Sequence, residues 1–377
     1  MGKPFFRRLT KKILLFSNLL LGLIFIAGVN VKYFDPENWW FLSLITLVLP
    51  YLLLALLIFL FFWLFVKPFY IFISLATLII SYHAVESIFP LNFSSAFSLE
   101  KQAGDIRVMS WNVEQFDILQ YKAHPEIKQK MFDLINKYDP DIACFQEAVI
   151  GENKKSINYF PDIKKALKFT DNLYSYTLKD DFDQNHHFGI IIFSKYPIVR
   201  KQMIVNNPNN YNSTYQFVDV LVNSDTFRIF NVHLQSLKFS KENREYLNKA
   251  STPVAADISE SKSIISKIKK GIIKRASQAF FIKDEMKTSP YPIILCGDFN
   301  DVPVSYAYET IGEGMNNAFV QKGSGISGTF SSISPTLRID NIFVDKRFSV
   351  SQFVRVKKKL SDHFPIIADL KFAPKDQ

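Results

Sequence analysis

Residues 293–301 read Ile-Ile-Leu-Cys-Gly-Asp-Phe-Asn-Asp, an apolar run that stops abruptly at a glycine, an acid and an amide. Consecutive apolar residues describe a strand buried on both faces, and the polar stop describes the edge of its sheet. The same arrangement recurs in Val108-Met-Ser-Trp-Asn112, Ile142-Ala-Cys-Phe-Gln-Glu147, Ile229-Phe-Asn-Val-His233, Leu337-Arg-Ile-Asp340 and Leu360-Ser-Asp362-His363. Strand ends in one layered domain converge on one edge, so Asn112, Glu147, His233, Asp298, Asn300, Asp340, Asp362 and His363 are expected in a single cleft. Burying so many polar groups is costly unless a cation or substrate meets them.

Around this stretch, strands are expected at 106–111, 142–146, 188–193, 216–222, 226–232, 293–296, 339–344 and 366–370, with an amphipathic helix at 125–138. A long basic helical insertion is expected at 257–287. Many strands with few intervening helices imply two packed sheets carrying helices outside. Cys144 and Cys296 lie in apolar runs and read as buried free thiols, although an exoplasmic location would permit a disulfide. No CxxC or HExxH spacing supports a zinc site.

The first hundred residues are of another kind. They hold seven of the 45 lysines and arginines and four of the 35 acids. Residues 41–66 form an almost wholly apolar run, longer than the roughly 20 residues that cross a hydrocarbon core. Residues 13–29 and 69–89 are two further candidate spans; His83 and Glu86 fall in the last turns of the third, where interfacial water would solvate them. Trp39 and Trp40 suit a headgroup boundary, and Pro50 is tolerable within a membrane helix. Lys3, Arg7, Arg8, Lys11 and Lys12 before the first span and Lys67 after the second mark the cytoplasmic side. Three spans then place the chain from residue 90 on the exoplasmic face, periplasmic in a double-membrane bacterium. A cleaved signal peptide over the first 30 or so residues leaves that face unchanged. The expected organisation is a membrane region over 1–91, a polar linker over 92–105 and a catalytic domain over 106–371. The composition excludes a disordered chain and a disulfide-stapled mini-protein.

Carboxylates and amides supply hard oxygen ligands, which suit Mg²⁺ or Mn²⁺ and disfavour zinc or copper. Two histidines add groups that titrate near neutrality. An oxygen-ligated divalent metal beside an acidic base and a histidine fits hydrolysis of a phosphate ester by water. Singly, Asn112 or Asp340 reads as a strand-end cap, Glu147 as the first solvated residue of its segment, and the histidines as satisfied core groups.

Taken in order, SWNV (110–113), QE (146–147), NVHL (231–234), GDFND (297–301), RIDNIFV (338–344) and SDHFPI (361–366) resemble the endonuclease/exonuclease/phosphatase superfamily over residues 106–371. The resemblance implies a four-layered α/β/β/α sandwich with the site between the sheet edges. It implies that Glu147 is the principal Mg²⁺ ligand, with Asn112 beside it and Asp362 nearby, and that Mn²⁺ can substitute. Asp298 would position or deprotonate the attacking water, and Asn300 would hold that water or a phosphate oxygen. His363, polarised by Asp340, would contact the scissile phosphate, and His233 would bind phosphate or assist the leaving group. Asn341 stands where many members carry an aromatic residue, which alters a flank of the site. Asp219 is the candidate partner for His233, and residues 238–287 and 312–334 are the candidate substrate-selecting loops.

Lys262, Lys267, Lys269, Lys270, Lys274 and Arg275 crowd the basic segment, which suits an anionic partner or a bilayer surface as well as a solvated helix face. The expected substrate is a phosphodiester in nucleic acid, phospholipid or a small molecule. A phosphomonoester and a catalytically silent binding module are the alternatives.

Overall fold

The computed structural model describes residues 2–93, 96–151, 159–176, 186–205, 214–237, 258–332 and 334–373. Two mixed sheets pack face to face between helices. The strands are β1 Asp105–Asn112, β2 Ile142–Gly151, β3 Asp171–Tyr176, β4 His186–Ser194, β5 Ile198–Val205, β6 Thr214–Val222, β7 Asp225–His233, β8 Ile293–Asp298, β9 Met315–Asn317, β10 Asp340–Asp345, β11 Phe348–Arg355 and β12 Ile366–Phe372. One six-stranded sheet runs β11-β12-β1-β2-β4-β3, the other β5-β6-β7-β8-β10-β9. Each contains a parallel central pair, β1/β2 or β7/β8, with antiparallel neighbours on both sides.

The layers follow from which residues each strand turns inward. Val108, Cys144, Ile192, Val218, Ile229, Ile294 and Cys296 form the seam between the sheets. Their alternates Met109, Trp111, Phe145 and Phe193 pack outward against Met131, Phe132 and Ile135 of the Ile127–Tyr138 helix. On the other outer face, Phe217, Phe230 and Leu295 pack against Ala279, Ile282 and Met286 of the Ile258–Lys287 helix. Cys144 and Cys296 are free, buried thiols in the seam, and burial pushes the Cys144 thiol well up.

The long basic helix is not an insertion. Parallel strands cannot be joined by a hairpin, so β7 and β8 need a crossover, and Ile258–Lys287 supplies it as Ile127–Tyr138 does for β1 and β2. Residues 238–257, the first part of the expected selecting loop, lie outside the described residues.

Gly297 shows how tightly β8 sits against β7. A Cβ there would lie 2.0 Å from the Val232 carbonyl oxygen. Gly297→Ala should therefore unzip the strand pair at its functional end and lower stability by about 2 kcal/mol or more, read from denaturant melts. An alanine variant as stable as the parent would mean that the close approach is readily relieved.

The helices Phe5–Val29 and Pro36–Val66 are long and apolar enough to cross a membrane. The third candidate span, 69–89, is bent: Pro68–Ile80 and Tyr82–Ile88 meet at 75°, a broken span or a re-entrant loop by length and composition, the break falling at Ser81, whose backbone leaves the helical region. Phe25, Leu49, Leu53, Leu56 and Ile88 pack together, and Val304 of the sandwich joins their cluster. Polar contacts join the apolar helices to the sandwich near residues 32 and 87 and at Tyr51, midway along Pro36–Val66. Lys32 pairs with Glu309 at 3.0 Å, Tyr51 Oη lies 3.2 Å from Ser334 Oγ, and buried Arg338 donates to the Ser87 carbonyl. At helix ends remote from Lys32 and Ser87, Lys11 and Lys67 lie 5.2 and 5.9 Å from the Tyr70 ring centroid.

Candidate active site

Strand register assembles the site. In the parallel β7/β8 ladder His233 is the partner of Asp298, and in the antiparallel β8/β10 ladder Asp298 is the partner of Asp340. The other sheet contributes Asn112 at the end of β1, directly beside Gln146 of β2. The sheets are fixed to each other underneath by two buried amides, Gln146 Nε2 donating to Asn231 Oδ1 at 2.8 Å.

Glu147 is delivered by a backbone irregularity. The β2/β4 register shifts between Phe145 and Ala148, and Glu147 takes a left-handed φ of 51°. A bulge re-aims the side chain that an alternating strand would send elsewhere. Such a conformation costs on the order of 1–3 kcal/mol for a residue with a Cβ, the kind of local strain found where function fixes geometry. Asn112 Nδ2 donates to Glu147 Oε1 at 3.2 Å and to Asp298 Oδ2 at 3.1 Å, and Gln115 Nε2 donates to Glu147 Oε2 at 2.8 Å. Withdrawal from water pushes the Glu147 carboxyl up, a shift that the Asn112 hydrogen bond and the His363 charge only partly oppose.

Asp298 is the hub. It is fully buried, and its Oδ2 lies 3.6 Å from His233 Nε2 and 3.7 Å from His363 Nε2. Its Oδ1 accepts the Asn300 backbone N–H at 2.8 Å, while Asn300 Nδ2 donates to the Leu234 carbonyl at 3.0 Å. Burial raises the Asp298 carboxyl, with Asp340 adding to the rise and His363 opposing it. His363 Nδ1 lies 2.9 Å from Asp340 Oδ2. Burial alone would lower the His363 imidazole, but the charges of Asp340 and Asp298 overcome it and hold the ring well above its ordinary range. Asp298, Asp340 and His363 each place one donor atom within 4.8 Å of the others, a group able to hold a metal ion.

All eight residues expected in the cleft belong to this neighbourhood. His233 Nε2 is also 3.8 Å from Glu147 Oε1, and Asp362 Oδ1 is 4.0 Å from His363 Nε2. Asp219 is not the partner of His233: it is committed to a buried bidentate ion pair with Arg228, at 2.7 and 2.9 Å. The β6/β7 register pairs Asp219 with Arg228, five residues back along β7 from His233. Asn341 is buried beside Asp340, and its side chain accepts from Asn317 Nδ2 of β9, at 3.1 Å.

Several supports are not among the expected site residues, although Ser361 opens the SDHFPI motif. Glu114 Oε2 accepts the Asp362 N–H at 2.8 Å, and burial together with Asp362 raises its carboxyl. Ser361 Oγ donates to the Asn112 carbonyl at 2.8 Å, and Thr329 Oγ1 accepts the Asp340 N–H at 3.1 Å. Only adjacency to Asn112 or Asp362 could have marked Glu114 and Ser361 in advance. Thr329 is brought in by the pairing of Phe330 with His363, which leaves no local trace.

An α/β sandwich that gathers acids and histidines on the shared edge of its two sheets is an architecture for phosphoester hydrolysis. The chain belongs to the Endonuclease/Exonuclease/phosphatase family, whose model matches residues 109–363 and whose members are generally phosphoester hydrolases. A second family model, a domain of unknown function, matches residues 11–88. No curated protein matches the chain in sequence. Among solved structures, a family protein from Bacteroides thetaiotaomicron is 19% identical with a TM-score of 0.50, covering 73% of this chain and 99% of its own. One from Beutenbergia cavernae is 16% identical with a TM-score of 0.51, covering 71% and 72%. One from Bacteroides vulgatus is 19% identical with a TM-score of 0.50, covering 71% and 99%. At these identities the likeness is one of fold.

Proposed function

We propose that the protein is a membrane-tethered phosphoesterase that cleaves a phosphodiester by attack of water, with Mg²⁺ as the cofactor and Mn²⁺ as a possible substitute. The observation that carries this reading is the position of Asp298, within 3.7 Å of both histidine Nε2 atoms and bonded to the amide that also holds Glu147. Its raised, buried carboxylate is suited to accept a proton from water, and Asn300 fixes its orientation. His363, kept cationic by Asp340, contacts the phosphate, and His233 on the other side of Asp298 binds phosphate or protonates the departing oxygen.

The donor set fits a hard cation. Glu147 is held in place by two amide donors while withdrawal from water pushes its carboxyl up, and a cation there would offset that cost, with Asn112 and Asp362 as the proposed neighbouring ligands. When bound there, the cation supplies charge neutralisation to the phosphate oxygens. The Asp298, Asp340 and His363 group gives a second candidate position.

Raised carboxyls have a measurable consequence. Because Glu147 and Asp298 hold their protons more tightly folded than unfolded, the metal-free protein should lose stability as pH rises above the ordinary carboxyl range. A cation that binds only the folded state restores it, by about 2.7 kcal/mol at a hundredfold excess over Kd. Mg²⁺ or Mn²⁺ should thus raise the melting temperature at neutral pH by several degrees. Glu147→Gln should fold, lose most of that increment and lose metal activation; a full increment in the variant would remove Glu147 from the ligand set.

The sandwich, residues 106–371, is proposed to stand on the exoplasmic side, anchored through residues 1–91 with the first apolar helix retained. The contacts of Lys32 with Glu309 and of Ser87 with Arg338, at helix ends remote from Lys11 and Lys67, support this topology. Protease added to the exoplasmic side of sealed inner membranes should release the sandwich, and complete protection would invert the assignment.

A further inference from the structure

The cleft over Asp298 does not end at the sandwich. A cavity of about 410 Å³ runs from Glu147, Asp298 and His363 to Ser43 and Leu47, at the start of the Ser43–Val66 helix. One half of its lining is the polar set already described. The other half is apolar: Leu47, Leu237, Ile268, Ile272 and Leu337. Leu237 closes on the long helix at Gly271, where a Cβ would stand 2.5 Å from its methyl.

The charges of that long helix are largely turned to other uses. Arg275 is buried against Asp301 at 2.9 Å, Lys274 reaches Gln235, and Lys269 lies 5.3 Å over the Trp40 ring. The segment that borders the cleft is therefore clamped beside the membrane helix, with Ile268 and Ile272 facing the cavity. A polynucleotide needs a cationic track for its backbone; here Arg275, which also lines the cavity, is neutralised by Asp301, and the rest of this wall offers methyl groups and part of a bilayer-length helix.

From this junction we infer that the substrate is an amphiphile, a phospholipid-type phosphodiester drawn from the bilayer surface, with its phosphate at Asp298 and the first part of an acyl chain along Leu47, Ile268 and Ile272. This rests on the phosphoesterase reading above and narrows it. Leu47 is then a specificity-determining residue supplied by the membrane region.

The test uses the full chain in detergent micelles with Mg²⁺ and a lysophosphodiester series of acetyl, hexanoyl and octanoyl chains, each below its micellar concentration. Bis(para-nitrophenyl) phosphate and a single-stranded oligonucleotide serve as comparisons. In the wild type kcat/KM should rise by roughly tenfold or more from acetyl to octanoyl, the effect of burying a few methylenes. In Leu47→Gln that advantage should collapse, and in Leu47→Met it should persist. A flat chain-length series in the wild type, or one preserved in Leu47→Gln, overturns the inference, as does preferred cleavage of the oligonucleotide. If the soluble diester is cleaved while the series is flat, the phosphoesterase reading survives alone; if no phosphate ester is cleaved, both fall.

Discussion

Asp298→Asn should lower turnover by on the order of 10² to 10⁴, the range for losing a positioned proton acceptor. The substitution keeps the volume, the strand and the Oδ1 that accepts the Asn300 N–H. What it removes is the charge that both histidines face and the Oδ2 acceptor for Asn112 Nδ2. The same change should leave the metal-free protein near parental stability at neutral pH, because relief of a carboxylate that the folded state holds at a cost offsets the lost Oδ2 acceptor. Activity down with stability level or up is the signature of strain kept for function. A variant that melts like the parent and turns over within a factor of ten of it would take the proton-acceptor role away from Asp298.

His363→Gln should cost turnover by a similar factor, and its effect on stability should depend on pH. The sequence alone suggests that such a change spares melting; burial and a 2.9 Å pairing with Asp340 say otherwise. Glutamine keeps a donor for Asp340 and loses the positive charge, so a cost of about 1–3 kcal/mol is expected below neutrality. The histidine is held well above its ordinary range, so its contribution is full below about pH 6.5 and fades as pH rises through the folded value. Melting of parent and variant should accordingly converge at high pH. Parallel curves across the range would mean that the ring is not cationic in the fold, and unchanged turnover would remove it from phosphate contact.

Every strand anticipated from the sequence is present, and the strands that were not anticipated share one property. β3, β5, β9 and β11 are the four outer strands of the two sheets. Central strands are covered on both faces and read as apolar runs, whereas Ile198–Val205, IVRKQMIV, and Phe348–Arg355, FSVSQFVR, mix polar residues into a half-exposed edge. The cleft was legible because its chemistry sits where apolar runs stop. Its supports were not: Gln115 and Thr329 act through hydrogen bonds closed by tertiary structure. Asp219 misled because an acid near β7 looks available until the ladder shows it facing Arg228. The wall formed by Leu47 had no sequence signal at all, since it depends on how an apolar helix docks on the sandwich.

The order of pairings has a consequence for where the apolar helices are attached. Read from one edge, β11-β12-β1-β2-β4-β3 and β5-β6-β7-β8-β10-β9 follow the same succession of antiparallel and parallel neighbours. The sandwich is therefore a doubled motif written on a closed circle, and the chain is that circle cut once. In one copy β6 turns directly into β7 at Val222 and Asp225; in the other the corresponding strands, β12 and β1, are still paired but carry the two ends. The apolar helices are thus grafted at the single hairpin the circle gave up, where they interrupt neither repeat.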